Sequence, residues 1–178
     1  GRRQLQEYER YYKEYLEGFE NMELAATGSL LGIRETRRVL GDYVLNVDNF
    51  RERAAFEDEI GRYAYPVDLH AGRPGRESFE DFHAKFQSLR LGKGESYGIP
   101  YRILTPKGLE NVMVSGRCVS TDRDMQSSIR VMPGCYITGQ AAGVAAAMAV
   151  ENERDVHRID VPELQSRLVD MGAFLPNF

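Results

Sequence analysis

The sequence is poor in the residues that brace a scaffold covalently. It holds two cysteines, Cys118 and Cys135, and no Cys-x-x-Cys pair, so it spells out neither a disulfide framework nor a thiolate metal site. That thiol content fits a reduced, cytoplasmic setting. Basic charge is not in excess: the net charge is −4 and the isoelectric point about 5.5, which excludes a general nucleic-acid binder. Lysine is scarce, at 4 against 19 arginines. No apolar run is long enough to span a bilayer, and Gly1, Arg2 and Arg3 lead into a charged segment rather than a signal peptide's apolar stretch. No Gly-x-Gly-x-x-Gly follows a strand-like run near the N-terminus. Gly92 and Gly94 begin that spacing, but Tyr97 stands where the third glycine belongs.

What is present reads as a globular chain of 178 residues, 42% hydrophobic and 28% charged, enough for one core or two small lobes. Residues 2–18 predict an amphipathic helix, with Leu5, Tyr8, Tyr12, Tyr15, Leu16 and Phe19 at three- and four-residue intervals and Gly18 as its stop. That tyrosine stripe reads as a packing surface. Short strands are expected over 23–27 and 32–39. The second carries charge on both faces, as a solvated edge does or as a strand lining a polar pocket does. Arg34 and Arg37 are the residues to test there. A short helix is expected from Val47 with Asp48 as N-cap, then an extended run over 63–70 ending at His70. His83 and His157 read as surface residues.

Residues 99–104 and 112–115 predict strands, the latter buried on both faces. Gly116 breaks it, and a polar loop is expected to run to Arg130. Pro133 suits a first helical turn. The following helix is built of small residues, Gly139, Ala141, Ala142, Gly143, Ala145, Ala146, Ala147 and Ala149, which allow close packing against a sheet or close approach of a ligand to backbone. Asp160 and Pro162 open a last helix with Leu164, Leu168 and Met171 on its apolar face, ended by Gly172.

Three ordered stretches carry a resemblance. They are Leu31-Gly-Ile-Arg-Glu-Thr-Arg-Arg-Val-Leu-Gly-Asp-Tyr-Val-Leu45, Gly98-Ile-Pro-Tyr-Arg-Ile-Leu-Thr-Pro-Lys107, and Asn111-Val-Met-Val-Ser-Gly-Arg-Cys-Val-Ser120. The last continues through Ser128-Ile-Arg-Val-Met-Pro133 and Gly139-Gln-Ala-Ala-Gly-Val-Ala-Ala-Ala147. Together they resemble the C-terminal flavin-binding segment of FAD-dependent oxidoreductases that share a two-dinucleotide-binding-domain fold with fumarate reductase and succinate dehydrogenase flavoproteins. The likeness covers about residues 16–175.

The resemblance implies an α+β chain forming the C-terminal fragment of an FAD/NAD(P)-binding-type, Rossmann-like fold. Residues 1–108 would form a helix and a β-rich, substrate-side cap region. Residues 109–178 would return a strand and the Gly/Ala-rich helix to the FAD domain. It implies flavin contacts from Gly116, Arg117, Gly134, Cys135, Tyr136 and Gly139. It also implies an anionic small-molecule substrate held by Arg130 and Arg34, with His70 facing it. A structural ion pair of Arg130 with Asp122 or Asp124 is the competing reading, as a structural role is for His70. The missing glycine fingerprint, which binds the FAD diphosphate in the family, marks a C-terminal piece that holds FAD weakly or not at all by itself. The implied partners are FAD, the substrate, and either the missing N-terminal half or a second copy. Two other readings stay open: a cofactor-free lobe completing a site with another chain, and a carbohydrate- or protein-binding β domain using the tyrosines and loops of 60–105.

Overall fold

The computed structural model describes residues 1–69, 80, 89–153 and 155–178. The chain divides into two compact units, Gly1–Ile33 and Arg34–Phe178. The first holds helix α1, Arg2–Tyr15, with the Glu9–Lys13 pair bonded at 2.8 Å. No residue of α1 is buried. The strand expected over 23–27 does not form; Leu24 is exposed and no partner strand lies beside it among the described residues.

The second unit is organised by residues 39–46, which run between 102–107 and 118–122. The Val39 amide donates to Cys118 O, Gly41 to Ser120 Oγ, Asp42 to Thr105 O, Tyr43 to Arg102 O and Leu45 to Ser120 O. Asp122 N–H donates back to Leu45 O and Lys107 N–H to Leu40 O. A side chain at Gly41 would press on Ser120 and the Arg102 carbonyl, so the close approach requires glycine there. These bonds replace the expected strand over 32–39, whose arginines are used sideways instead: Arg38 Nε donates to Thr121 O at 3.0 Å.

The short helix α2, Val47–Arg51, forms, but Asn46 caps it rather than Asp48. Asn46 Oδ1 accepts from the amides of Asp48 and Asn49 while the Asn49 side chain accepts from the Asn46 amide, a reciprocal box that Asp48, already inside the first turn, is placed too late to build. The β-rich expectation is also corrected. Among the described residues the sheet has two antiparallel strands, β1 (Glu59–Tyr63) and β2 (Tyr97–Pro100). Residues 101–103 leave the ladder as a 3-10 turn, because Pro100 lacks an amide and Tyr101 N–H turns to Asp58 O. The strand expected over 112–115 makes no ladder; its Val114 amide donates to Leu104 O.

The polar loop expected up to Arg130 holds helix α3, Arg123–Ile129, capped by Asp122 Oδ1 on the Met125 amide at 2.7 Å. Helix α4 follows at once, Met132–Glu151, with Pro133 in its first turn. Helix α5, Val161–Asp170, is capped by Asp160 and carries Pro162 as expected. Leu164 and Leu168 are buried, but Met171 is exposed, since the helix ends before it and Gly172 turns the chain at φ +87°. The core joins Leu45, Phe50, Tyr97, Ile99, Ile103, Met125, Ile129, Ala141, Ala145 and Leu164. Buried Tyr97 donates to Ser128 Oγ, which donates to Tyr65 O. No helix among the described residues is long and apolar enough to cross a membrane.

Candidate functional site

The α3–α4 junction gathers most of the residues singled out from sequence. Arg130 caps α3 and its side chain is 8% exposed. Its Nη1 meets Glu35 Oε2 at 2.6 Å, and its Nη2 meets Asp68 O at 3.2 Å and Asp68 Oδ2 at 3.7 Å. Arg34 Nη2 meets the same Asp68 at 3.1 Å. The structure thus brings Arg34 and Arg130 together around two carboxylates. Neither Asp122 nor Asp124 is the partner expected for Arg130 in an ion pair: Asp122 is spent on capping α3 and on the Val47 amide at 2.9 Å. Arg130 Nε is buried with no hydrogen-bond partner among the described residues, an uncommon state for a charged donor. Arg37 is exposed. His70 lies outside the described residues.

Gly116 begins a 3-10 turn, Gly116–Cys118, at φ +70°, where glycine is favoured. The turn docks on α4 through the Gly116 amide, which donates to Thr138 Oγ1 at 3.0 Å, and through Cys135, whose Sγ lies 3.8 Å from where a Gly116 side chain would begin. The Arg117 carbonyl accepts from Gln126 Nε2. Burial pushes the Cys135 thiol up against the opposing charge of Arg117, so it is not poised as a thiolate nucleophile.

At the helix start, Pro133 has no amide, Cys135 N–H is taken by Val131 O at 3.1 Å, and the Gly134 amide faces the Tyr63 hydroxyl, which leaves the Met132 amide. Gly134 is buried against the Ile129 carbonyl and the Tyr63 ring, where no side chain would fit. Burial pushes the Tyr63 phenol up to about 12. Tyr136 is exposed and faces a smaller cavity of about 200 Å³ with Ile60, Arg62 and Gly172. Gly139 faces elsewhere. It and Gly143 open onto a cavity of about 730 Å³ between α4 and residues 110–115, walled further by Ala146, Val150, Asp155 and Val156. A side chain at either glycine would meet nothing within 4 Å.

The far wall of this cavity is held by a group that the sequence reading placed on the surface. His157 is partly buried, with Nδ1 2.5 Å from Asp42 Oδ2 and Nε2 2.9 Å from Leu109 O. Both ring nitrogens face acceptors, so both must carry protons for both bonds to form. The Leu109 carbonyl, then Asp42, raise the His157 value above the ordinary one. Burial acts to raise the Asp42 carboxyl, but Thr105 and His157 outweigh it and hold it low.

The raised histidine stabilises the fold fully below its unfolded value, and that contribution is lost as pH rises through the folded one. The lowered Asp42 contributes above its unfolded value and loses this in acid. The stability advantage of the wild type over His157→Gln in urea titrations is therefore expected to shrink as pH rises from the ordinary histidine range into the alkaline range. An advantage constant over that range would show that His157 is not held protonated. What hid the clamp is separation: its members stand 115 positions apart in the chain.

Among the described residues no cluster of metal-ligating side chains exists. The chain matches the profile of the family described as FAD dependent oxidoreductase over residues 1–168. Comparison with curated proteins and with solved structures returned no match.

Proposed function

Because the chain belongs to the FAD dependent oxidoreductase family, whose cofactor is FAD, we propose that residues 109–178 supply a face toward the flavin ring and ribityl chain. Residues 1–108 lie on the substrate side in this reading. The observation that carries it is the open glycine face of Gly139 and Gly143 on a cavity of about 730 Å³, next to the Gly116–Cys118 turn. FAD, when bound, supplies the two-electron chemistry. The chain's own part is to leave room for the ring at Gly139 and to hold the adjoining turn of Gly116 and Arg117 against Cys135 and Thr138 beside it. Gly134 supports the helix start from within, and Tyr136 lies on the other face, so both act at one remove from the ring.

The fit is partial. Small apolar walls suit a planar ring, but the described lining residues include Glu110, Glu153 and Asp155 and no cation. Three carboxylates repel a diphosphate, and no glycine-rich strand-to-helix turn among the described residues offers amides to it. Arg130 and Arg34, adjoining the start of α4, are the proposed anchors for an anionic substrate. Glu35 and Asp68 hold their guanidinium groups in place.

The test compares FAD with riboflavin on the 178-residue chain, following amide resonances at 116–117 and 139–143. The hydrogen bonds open to a flavin are worth about 0.5–1.5 kcal/mol each against an association cost of at least about 4 kcal/mol. Both ligands are therefore expected to bind equally, in the millimolar range, and Gly139→Leu to weaken both. FAD binding tenfold tighter than riboflavin, or shifts confined to other residues, would overturn the proposal.

A further inference from the structure

The cavity of about 730 Å³ is walled unevenly. One side is α4, and the turn at 155–158 is tied to the core: buried Tyr101 donates to Val156 O at 2.6 Å, and Asp155 Oδ1 accepts from the His157 amide at 2.9 Å. The other side, which gives Glu110, Asn111 and Met113 to the lining, is exposed over 107–112. It is anchored beyond its ends, by Lys107 N–H on Leu40 O and Val114 N–H on Leu104 O, each at 2.9 Å. Between those anchors, among the described residues, two hydrogen bonds fasten its backbone to the 155–158 turn. His157 Nε2 meets Leu109 O at 2.9 Å, and the Val156 amide meets Glu110 O at 3.4 Å, a long bond and a weak one. Gly108, at φ +78° with open space around it, supplies a hinge at the start.

The shorter bond exists only while Nε2 carries a proton, and His157 has Asp42 Oδ2 on its other nitrogen. A neutral imidazole has one N–H to give. It keeps that proton at Nδ1, because the opposite tautomer would turn a lone pair on the Asp42 carboxylate. The proton lost to solvent is therefore the one on Nε2, and Leu109 O loses its donor. Leu109 is 49% exposed, so water can replace it at little cost.

Charge acts in the same direction. Asp42 and Asp155 both favour the imidazolium, with Lys107 and Arg102 beside Asp42 and the Tyr101 phenol kept neutral by burial. Glu110 on one side of the cavity and Asp155 on the other repel, and that repulsion is less compensated once the nearby imidazolium charge is gone.

We propose that residues 108–113 are a strap on this cavity, fastened while His157 is doubly protonated and unfastened when Nε2 loses its proton, so that the cavity opens as pH rises. The device belongs to the chain itself and operates whatever the cavity binds.

The Val156 amide reports on the strap, because its acceptor is Glu110 O. Its hydrogen exchange is followed by NMR on the 178-residue chain at rising pH, as protection relative to unstructured peptide so that the base-catalysed intrinsic rate drops out. In the wild type this protection is expected to fall about two- to tenfold, the worth of one net hydrogen bond. The fall should come as pH passes from the ordinary histidine range into the alkaline range, while the Lys107 and Val114 amides keep theirs. Imidazole nitrogen shifts should show Nδ1–H as the surviving tautomer. His157→Gln should make the Val156 protection flat with pH. Asp42→Asn, which keeps the shape but removes the carboxylate favouring the imidazolium, should move the fall to lower pH. Wild-type protection that is flat, or that falls alike in His157→Gln, would overturn the proposal. So would a surviving Nε2–H, which leaves the strap fastened, or an Asp42→Asn transition at an unchanged pH.

Discussion

Arg62→Met is expected to lower unfolding stability at neutral pH by about 3–5 kcal/mol, the cost of leaving one member of a buried ion pair alone. Glu59 and Arg62 side chains are 3% and 9% exposed and meet at 2.7 Å. Glu59 Oε1 also accepts from the Phe56 amide, and its other oxygen has no hydrogen-bond partner among the described residues. Arg62 in turn donates to Ser96 Oγ, Ser96 O and Arg53 O. Methionine fills the arginine's volume but leaves a buried carboxylate and two carbonyls without their donor. The Glu59 carboxyl lies in the space a side chain would take at Gly98, the ladder partner of Arg62, so the pair is packed under β2.

Burial already raises the Glu59 carboxyl. A carboxyl with a raised folded value favours the fold in acid and loses that as pH rises, so the deficit of Arg62→Met should narrow as pH falls toward the carboxyl range. Adding Glu59→Gln should recover much of it, since the buried charge is gone. Urea titrations of the single and double variants decide the matter. A loss under about 1 kcal/mol, the surface-pair scale, would mean that the pair is solvated in solution.

On the substrate role proposed for Arg130, Arg130→Ala is expected to cost turnover more than stability. Its partners survive its loss: Glu35 is 39% exposed and can hydrate, and Asp68 keeps Arg34. The melting temperature should therefore fall only slightly. A charge-assisted contact to substrate is worth about 1.5–3 kcal/mol, or roughly one to two decades in kcat/KM. Arg130→Lys should recover little, because a point charge cannot reproduce a guanidinium held at once by Glu35 through Nη1 and Asp68 through Nη2. Unchanged kcat/KM with a large drop in melting temperature would assign Arg130 to the fold alone.

The parts legible in sequence are those whose determinants are local. Pro133, Asp160, Pro162 and Gly172 mark helix ends through their own backbone chemistry, and α4 and α5 lie where those residues put them. Helix α3 is hidden because Gln126, Ser127 and Ser128 look solvent-facing yet are buried. Each donates to a carbonyl, Gln126 to Arg117, Ser127 to Asp124 and Ser128 to Tyr65, while Gln126 Oε1 has no hydrogen-bond partner among the described residues. The partners of Arg130 escape notice for the same reason in reverse. Asp122 and Asp124 are near in sequence, but capping claims Asp122, while Glu35 and Asp68 come from 95 and 62 residues away. Asp68 has a signal, standing two residues before the histidine singled out at position 70.

The threading of residues 39–46 sets the order in which this chain can fold. Gly41 meets Ser120 across 79 residues, and closing such a loop costs about 2 kcal/mol more entropy than closing one of ten residues. Helices α4 and α5, which form from neighbours in sequence, have no such debt and can be present first. The segment can be laid down only once both flanks are present and, because it holds them together, its release frees them. A nascent chain that has not yet delivered residues 118–122 has nowhere to put it. Its apolar members, Val39, Tyr43 and Leu45, stay uncovered until the second half arrives, which is the interval in which misfolding and aggregation compete.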